Sequence, residues 1–166
     1  MAVRVFFVEV ALIIEAKNNE GIPNNMDADQ KPGVLLHTLR FPIRWGDMDA
    51  MAHVNNTVYL RYFEESRVSW SLSNGMATQA DGTGLILAKT SVTFRKPVTY
   101  PANVIVELFA GRVGGASFNM LNTLTVEGDS EPSATGESVM VCYDFVQGKA
   151  LRVPDNLRAI LEGRSA

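Results

Sequence analysis

After residue 56 the chain changes from one hydrophobic period to another, and that change restricts the fold more than any other feature. Over residues 57–72, Tyr59, Tyr62, Phe63, Ser66 and Trp70 recur at three- and four-residue spacing. That spacing sets them on one face of a helix. Arg61, Glu64, Glu65 and Arg67 cover much of the remaining circumference and are expected to face solvent. Asn55, Asn56 and Thr57 are each competent N-caps, and Gly75 falls just past the predicted helix end.

Downstream the apolar residues alternate at period two. Residues 103–112 place Val104, Val106, Leu108 and Ala110 on one face. Residues 116–126 do the same with Phe118, Met120, Leu124 and Val126, and residues 138–146 with Val139, Val141, Tyr143 and Phe145. Alternation of this kind predicts strands with one buried face. Two more strands are expected. One covers residues 36–44, where Pro42 argues for a sheet edge or a bulge, and the other covers 86–95, stopped by Lys96-Pro97. Gly114-Gly115 predicts a hairpin turn, 127–136 a longer polar connection, and 154–162 a short terminal helix followed by Gly163. One long helix with successive antiparallel strands is an α+β pattern. A curved antiparallel sheet wrapped around one long central helix would bury both the aromatic stripe and one sheet face. A lone helix cannot cover both faces, so the sheet's edges and rims are expected to meet another subunit.

A length of 166 residues suits one domain with a real core. The 15 basic and 18 acidic residues leave a net charge of −3 with no lysine or arginine block, which gives nucleic-acid binding no electrostatic support. Cys142 is the single cysteine, so no intrachain disulfide forms and a structural zinc site would lack its thiolates. A reducing, cytoplasmic location is the simplest expectation. Residues 5–14 are apolar but interrupted by Glu9, and they are shorter than the roughly 20 residues that span a bilayer. Glu15-Ala16-Lys17-Asn18-Asn19-Glu20 follows where a small-residue cleavage site would stand, so neither membrane insertion nor export is expected. Residues 1–33 are read as an N-terminal extension and linker, disordered or adding a strand or helix, ahead of a domain over 34–166. Met26 inside that linker leaves a later start open.

The densest chemistry is Trp45-Gly46-Asp47-Met48-Asp49-Ala50-Met51-Ala52-His53-Val54-Asn55-Asn56. Two carboxylates, an imidazole and two amides stand directly before the helix. Helix N-termini present unpaired N–H groups and the positive end of the dipole, which favour developing negative charge. The combination suits hydrolysis of an activated carbonyl compound. Plainer roles compete with it. Asp47 suits capping or orienting the loop, and Asn55 suits the cap. An Asp-Asp-His metal set lacks a further clear ligand, and no metal is expected. The tyrosines, Trp70 and Cys142 read as core, and His37 has no clustered partner.

The run Asp47-x-Asp49-Ala50-x-x-His53-Val54-Asn55-Asn56, followed by Tyr59-Leu60-Arg61-Tyr62-Phe63-Glu64-Glu65, resembles the hot-dog-fold acyl-CoA thioesterases of the 4-hydroxybenzoyl-CoA thioesterase-like family. The same run is similar to the helix-start motif of acyl-ACP thioesterases. Phe94-Arg95-Lys96-Pro97-Val98 resembles the group's strand ending. The resemblance implies a hot-dog fold and hydrolysis of acyl-CoA to a carboxylic acid and free thiol. It also implies a homodimer or homotetramer, and no cofactor. In it Asp49 matches the catalytic acid, acting as nucleophile or general base, and His53 matches a histidine of the catalytic network. Asn55 matches an amide that holds thioester and carboxylate, and Asn56 stands where a backbone N–H would point at the thioester oxygen. Tyr59 is then a candidate for the acyl pocket, and Arg95 and Lys96 for the phosphates of coenzyme A. Two positions depart from the pattern. Met51 replaces an asparagine of the acyl-ACP enzymes, which weakens that reading. Ala52 replaces a usual glycine, so a loop conformation with positive φ is expected to be strained or altered there. A non-catalytic acyl-CoA-binding or regulatory hot-dog protein is the alternative, distinguished by binding without thiol release.

Overall fold

The computed structural model describes residues 33–76 and 82–164. The expectations for residues 1–32 lie outside the described residues. In chain order the elements are β1 (Leu35–Pro42), α1 (Asn56–Ser73), β2 (Thr83–Phe94), β3 (Asn103–Val113), β4 (Ser117–Val126), β5 (Ala134–Asp144), β6 (Lys149–Ala150) and α2 (Asp155–Leu161). The strands form one antiparallel sheet in the order β1-β3-β4-β5-β2, with β6 paired to β5. β1 and β2 are its edges, which agrees with Pro42 ending β1 where a missing N–H is tolerated.

α1 forms where the aromatic stripe predicts it. Tyr59, Tyr62, Phe63, Ser66 and Trp70 are all buried. The front half of the helix packs Tyr59, Tyr62 and Phe63 on Val104, Val106, Leu124 and Ala134. The rear half packs Trp70 on Leu108, Phe118, Met120 and Met140, closed from the other side by Leu157 and Leu161 of α2. Phe63 approaches the sheet so closely that only a glycine fits opposite it. A Cβ on Gly136 would lie 2.5 Å from the Phe63 ring. Asn55 caps the helix, its side-chain oxygen accepting from the Thr57 N–H at 2.9 Å. Gly75 follows the last turn at φ 68.

Three expectations need correction. Arg67 is buried, not solvent-facing. It sits four residues after Phe63, at the margin of the stripe, and its guanidinium turns inward to give Nη1–H to Ser138 Oγ at 3.1 Å. β5 starts at Ala134, so residues 134–136 belong to a strand and not to the preceding connection. Its helix-facing side is the even-numbered one, carrying Gly136, Ser138, Met140 and Cys142, not the side of Val139, Val141 and Tyr143. β5 lies between β4 and β2 and is buried on both faces, which erases the alternation that would have told the faces apart. Among the described residues no helix is long and apolar enough to cross a membrane.

Candidate active site

The segment between β1 and α1 is folded by hydrogen bonds into a fixed loop. A 3-10 turn at Trp45–Asp47 opens it. An isolated antiparallel bridge, Met48 to Val54, closes residues 48–54 into a narrow turn, with the Asp49 N–H donating to the His53 carbonyl at 2.8 Å. Val54 is buried and anchors the turn through its N–H to the Val98 carbonyl at 2.8 Å. The turn is completed by Ala52 at φ 61, the only non-glycine at positive φ among the described residues. Of the two outcomes open at this position, the loop keeps the positive φ and carries the strain of a Cβ there.

Asp47 ties this loop to the helix. Its Oδ2 accepts from the Arg44 N–H at 2.8 Å and from the Tyr62 hydroxyl at 2.7 Å, and its carbonyl accepts from the Asn55 N–H at 2.9 Å. Burial, the hydrogen bond to Asp47 and the negative charges of Asp47 and Glu65 hold the Tyr62 phenol well above its ordinary pKa, against a smaller opposing effect of Arg44. Tyr62 therefore stays a hydrogen-bond donor at working pH. No sequence pattern pointed to this contact, because fifteen residues separate the partners and neither lies in the other's periodic frame.

Asp49 is placed differently. Its Oδ1 accepts from the Met51 N–H at 2.8 Å, while Oδ2 has no hydrogen-bond partner among the described residues. The carboxylate lines an open groove of about 350 Å³ together with His53, Asn56, Tyr59, Arg95 and Lys96. Two segments forty residues apart in sequence thus meet at one site, because the end of β2 passes the start of α1. Tyr59 forms the floor. It is buried and packs edge-on to Phe94 with ring centroids 5.1 Å apart. Desolvation raises its phenol pKa, offset in part by a hydrogen bond with the Val98 backbone. Phe94, Val54 and Pro97 complete the apolar wall; the sequence marks them as parts of the two family-like segments but not as site residues. Phe94 was discoverable, as the residue directly before the basic pair.

Asn56 is the first residue of α1, so its N–H has no intrahelical acceptor. Arg95 and Lys96 are exposed at the groove's side, both N–H groups fixed on the Ser133 carbonyl at 2.9 and 3.0 Å. Lys96 faces Asp129 across 3.8 Å, whereas Arg95 has no ion pair among the described residues. Asn55 is the predicted site residue that does not line the groove. Its carboxamide oxygen serves the helix cap, accepting from both Thr57 N–H and Thr57 Oγ1–H, the latter at 2.7 Å. Among the described residues no group of three His, Cys, Asp or Glu side chains gathers as a metal set.

A long helix held against a curved antiparallel sheet, with a carboxylate beside the helix N-terminus, defines a hot-dog-fold hydrolase. Residues 43–161 match the Thioesterase-like superfamily, and the chain belongs to that superfamily as a thioester hydrolase. It is 27% identical over 124 residues to the long-chain acyl-CoA thioesterase FadM of Escherichia coli K12, covering 72% of this chain and 92% of that one. The solved PA2801 protein of Pseudomonas aeruginosa is 39% identical, with a TM-score of 0.71 over 75% of this chain and 97% of that one. A 1,4-dihydroxy-2-naphthoyl-CoA thioesterase from Synechocystis shares the fold, with a TM-score of 0.67 at 19% identity over 75% of this chain and 93% of that one.

Proposed function

We propose that Asp49 is the carboxylate with which this protein hydrolyses acyl-CoA thioesters to a carboxylic acid and free coenzyme A. The observation that carries the reading is the half-occupied carboxylate. Oδ1 is pinned by the Met51 N–H, and Oδ2 is left open in the groove that also holds the first residue of α1. A thioester carbonyl seated there directs its oxygen to the Asn56 N–H, and Asp49 attacks its carbon or activates the water that does. Each preorganised N–H donor of this kind contributes about 3–4 kcal/mol to transition-state stabilisation. A thioester lacks the resonance stabilisation of an amide, so a carboxylate and a helix N-terminus are sufficient chemistry. His53 lines the same groove, and in this reading it serves the leaving thiolate. Asn55 acts through the cap, holding the first turn of the helix in register with Asp49.

The Tyr59–Phe94 floor takes the start of the acyl chain, and Arg95 and Lys96 take the phosphates of coenzyme A. The FadM relative, named for long-chain acyl-CoA, supports this substrate class. The protein works as a homodimer or homotetramer. β2 offers twelve residues of edge strand with Leu87 and Phe94 exposed, and α1 exposes Leu60, Val68 and Leu72. The lone, buried Cys142 fits a reducing cytoplasm. Residues 34–166 carry the activity, and deleting residues 1–25 leaves it intact. The test is thiol release from a panel of aromatic, short-, medium- and long-chain acyl-CoAs. Release from at least one is expected. Binding of acyl-CoA with no thiol released from any of them would make the protein a binding module.

A further inference from the structure

The two cations at the side of the Asp49 groove are not equivalent. Lys96 Nζ stands 3.8 Å from Asp129 Oδ2, whereas Arg95 has no ion pair among the described residues. Asp129 comes from the polar connection between β4 and β5, which also carries Glu127 and Glu131. Among the described residues neither of those two lies within ion-pairing distance of Arg95 or Lys96. Glu127 is committed elsewhere, its carboxylate accepting from Arg40 at 2.9 Å and from the Asn103 amide at 3.0 Å.

Backbone hydrogen bonds set Asp129 opposite Lys96. The Asp129 N–H donates to the Val126 carbonyl at 2.9 Å, and Gly128 turns the chain between them at φ 97. At the far end of the same connection, the Ser133 carbonyl accepts from the N–H groups of both Arg95 and Lys96, and the Ser133 N–H donates to the Leu124 carbonyl at 2.7 Å. One segment therefore holds the backbone of the basic pair and also carries the counter-charge to one member of it.

An exposed pair of this kind adds little to stability. Its consequence is the field that an arriving anion meets. A carboxylate beside Lys96 offsets the attraction of the ammonium and repels the anion directly. Arg95 keeps its full charge, on a planar fork that matches two phosphate oxygens.

We infer that Asp129 is a specificity-determining residue, which holds Lys96 away from phosphate so that Arg95 anchors the coenzyme and the coenzyme A product is bound weakly enough to leave. This rests on the phosphate role given to Arg95 and Lys96 above, and divides that role unequally.

Coenzyme A titrated into the full chain by calorimetry at low salt tests the division. Asp129→Asn should tighten binding by about three- to tenfold. That gain should shrink to about half or less in about 0.5 M sodium chloride, where the screening length is close to the length of the pair. Lys96→Gln should cost the wild type at most about twofold, yet cost Asp129→Asn its whole gain. Arg95→Gln should weaken binding by about tenfold or more in either background. Unchanged affinity in Asp129→Asn, a gain indifferent to salt, or a gain that survives Lys96→Gln would each overturn the role of Asp129 and leave the phosphate site standing. Indifference to Arg95→Gln, or no saturable binding of coenzyme A, would overturn the phosphate site itself and the role of Asp129 with it.

Discussion

Replacing Ala52 by glycine should stabilise the protein, although glycine normally destabilises. Ala52 sits at φ 61 in the loop that bears Asp49. A left-handed residue with a Cβ carries a penalty of about 1–2 kcal/mol, which glycine escapes. Against this, glycine adds about 0.4–1 kcal/mol of unfolded-state entropy to be lost on folding. Ala52 is exposed, so its methyl group gives up no packing, and its N–H bond to the Asp49 carbonyl at 3.1 Å survives the change. The net gain is about 0.5–1 kcal/mol, or about 1–4 °C in Tm for a chain of this size. Valine at the same position should go the other way by about 1 kcal/mol or more, because branching at Cβ worsens the left-handed conformation. Urea melts of wild type, Ala52→Gly and Ala52→Val give the comparison, with thiol release measured alongside. Ala52→Gly keeps near-wild-type turnover because the backbone around Asp49 is unchanged. A glycine variant less stable than wild type, or a valine variant equal to it, would refute the strained turn.

Tyr62→Phe removes the 2.7 Å bond to Asp47. It should lower stability by about 1–2 kcal/mol and reduce kcat more than it raises KM, since the loop bearing Asp49 loosens. An unchanged urea midpoint together with an unchanged kcat contradicts the clamp. Gly136→Ala drives a Cβ to 2.5 Å from the Phe63 ring and should cost about 1–3 kcal/mol in a urea melt; a neutral effect would mean that Phe63 packs elsewhere. Burial pushes the Cys142 thiol up to about 11. The native protein should therefore resist a thiol reagent at pH 8 under conditions where the urea-unfolded chain reacts fully. The native state binds this proton more tightly than the unfolded chain. Stability is thus intact below the unfolded thiol pKa and falls as pH climbs from there through about 11. Rapid labelling of native protein would contradict this.

The helix and the loop bearing Asp49 were legible in the sequence because both are local. The spacing of Tyr59, Phe63 and Trp70 shows a helical face directly, and Ala52 in a glycine position marks a turn either strained or altered, which the φ of 61 decides for strain. β3 and β4 were equally plain, since each buries one face and alternates accordingly. β5 was not, because a central strand buried on both sides carries no parity to separate the face of Val139 from that of Met140. Arg67 was misplaced for a related reason. A charged residue at the margin of an apolar stripe reads as solvated until a distant partner, Ser138, is brought beside it. The strand order and the Tyr62–Asp47 contact depend on tertiary pairing that no single window of sequence contains. Asp49, His53, Asn56, Tyr59, Arg95 and Lys96 do line one groove.

The most direct measurement is kcat/KM of Asp49→Asn against wild type, on whichever acyl-CoA of the panel is turned over fastest. Asparagine keeps the size of the side chain and an oxygen for the Met51 N–H but removes the basic, nucleophilic character. A loss of about 100-fold or more is expected, with Tm and circular dichroism unchanged. A folded variant that turns over like wild type would show that some other group attacks the thioester.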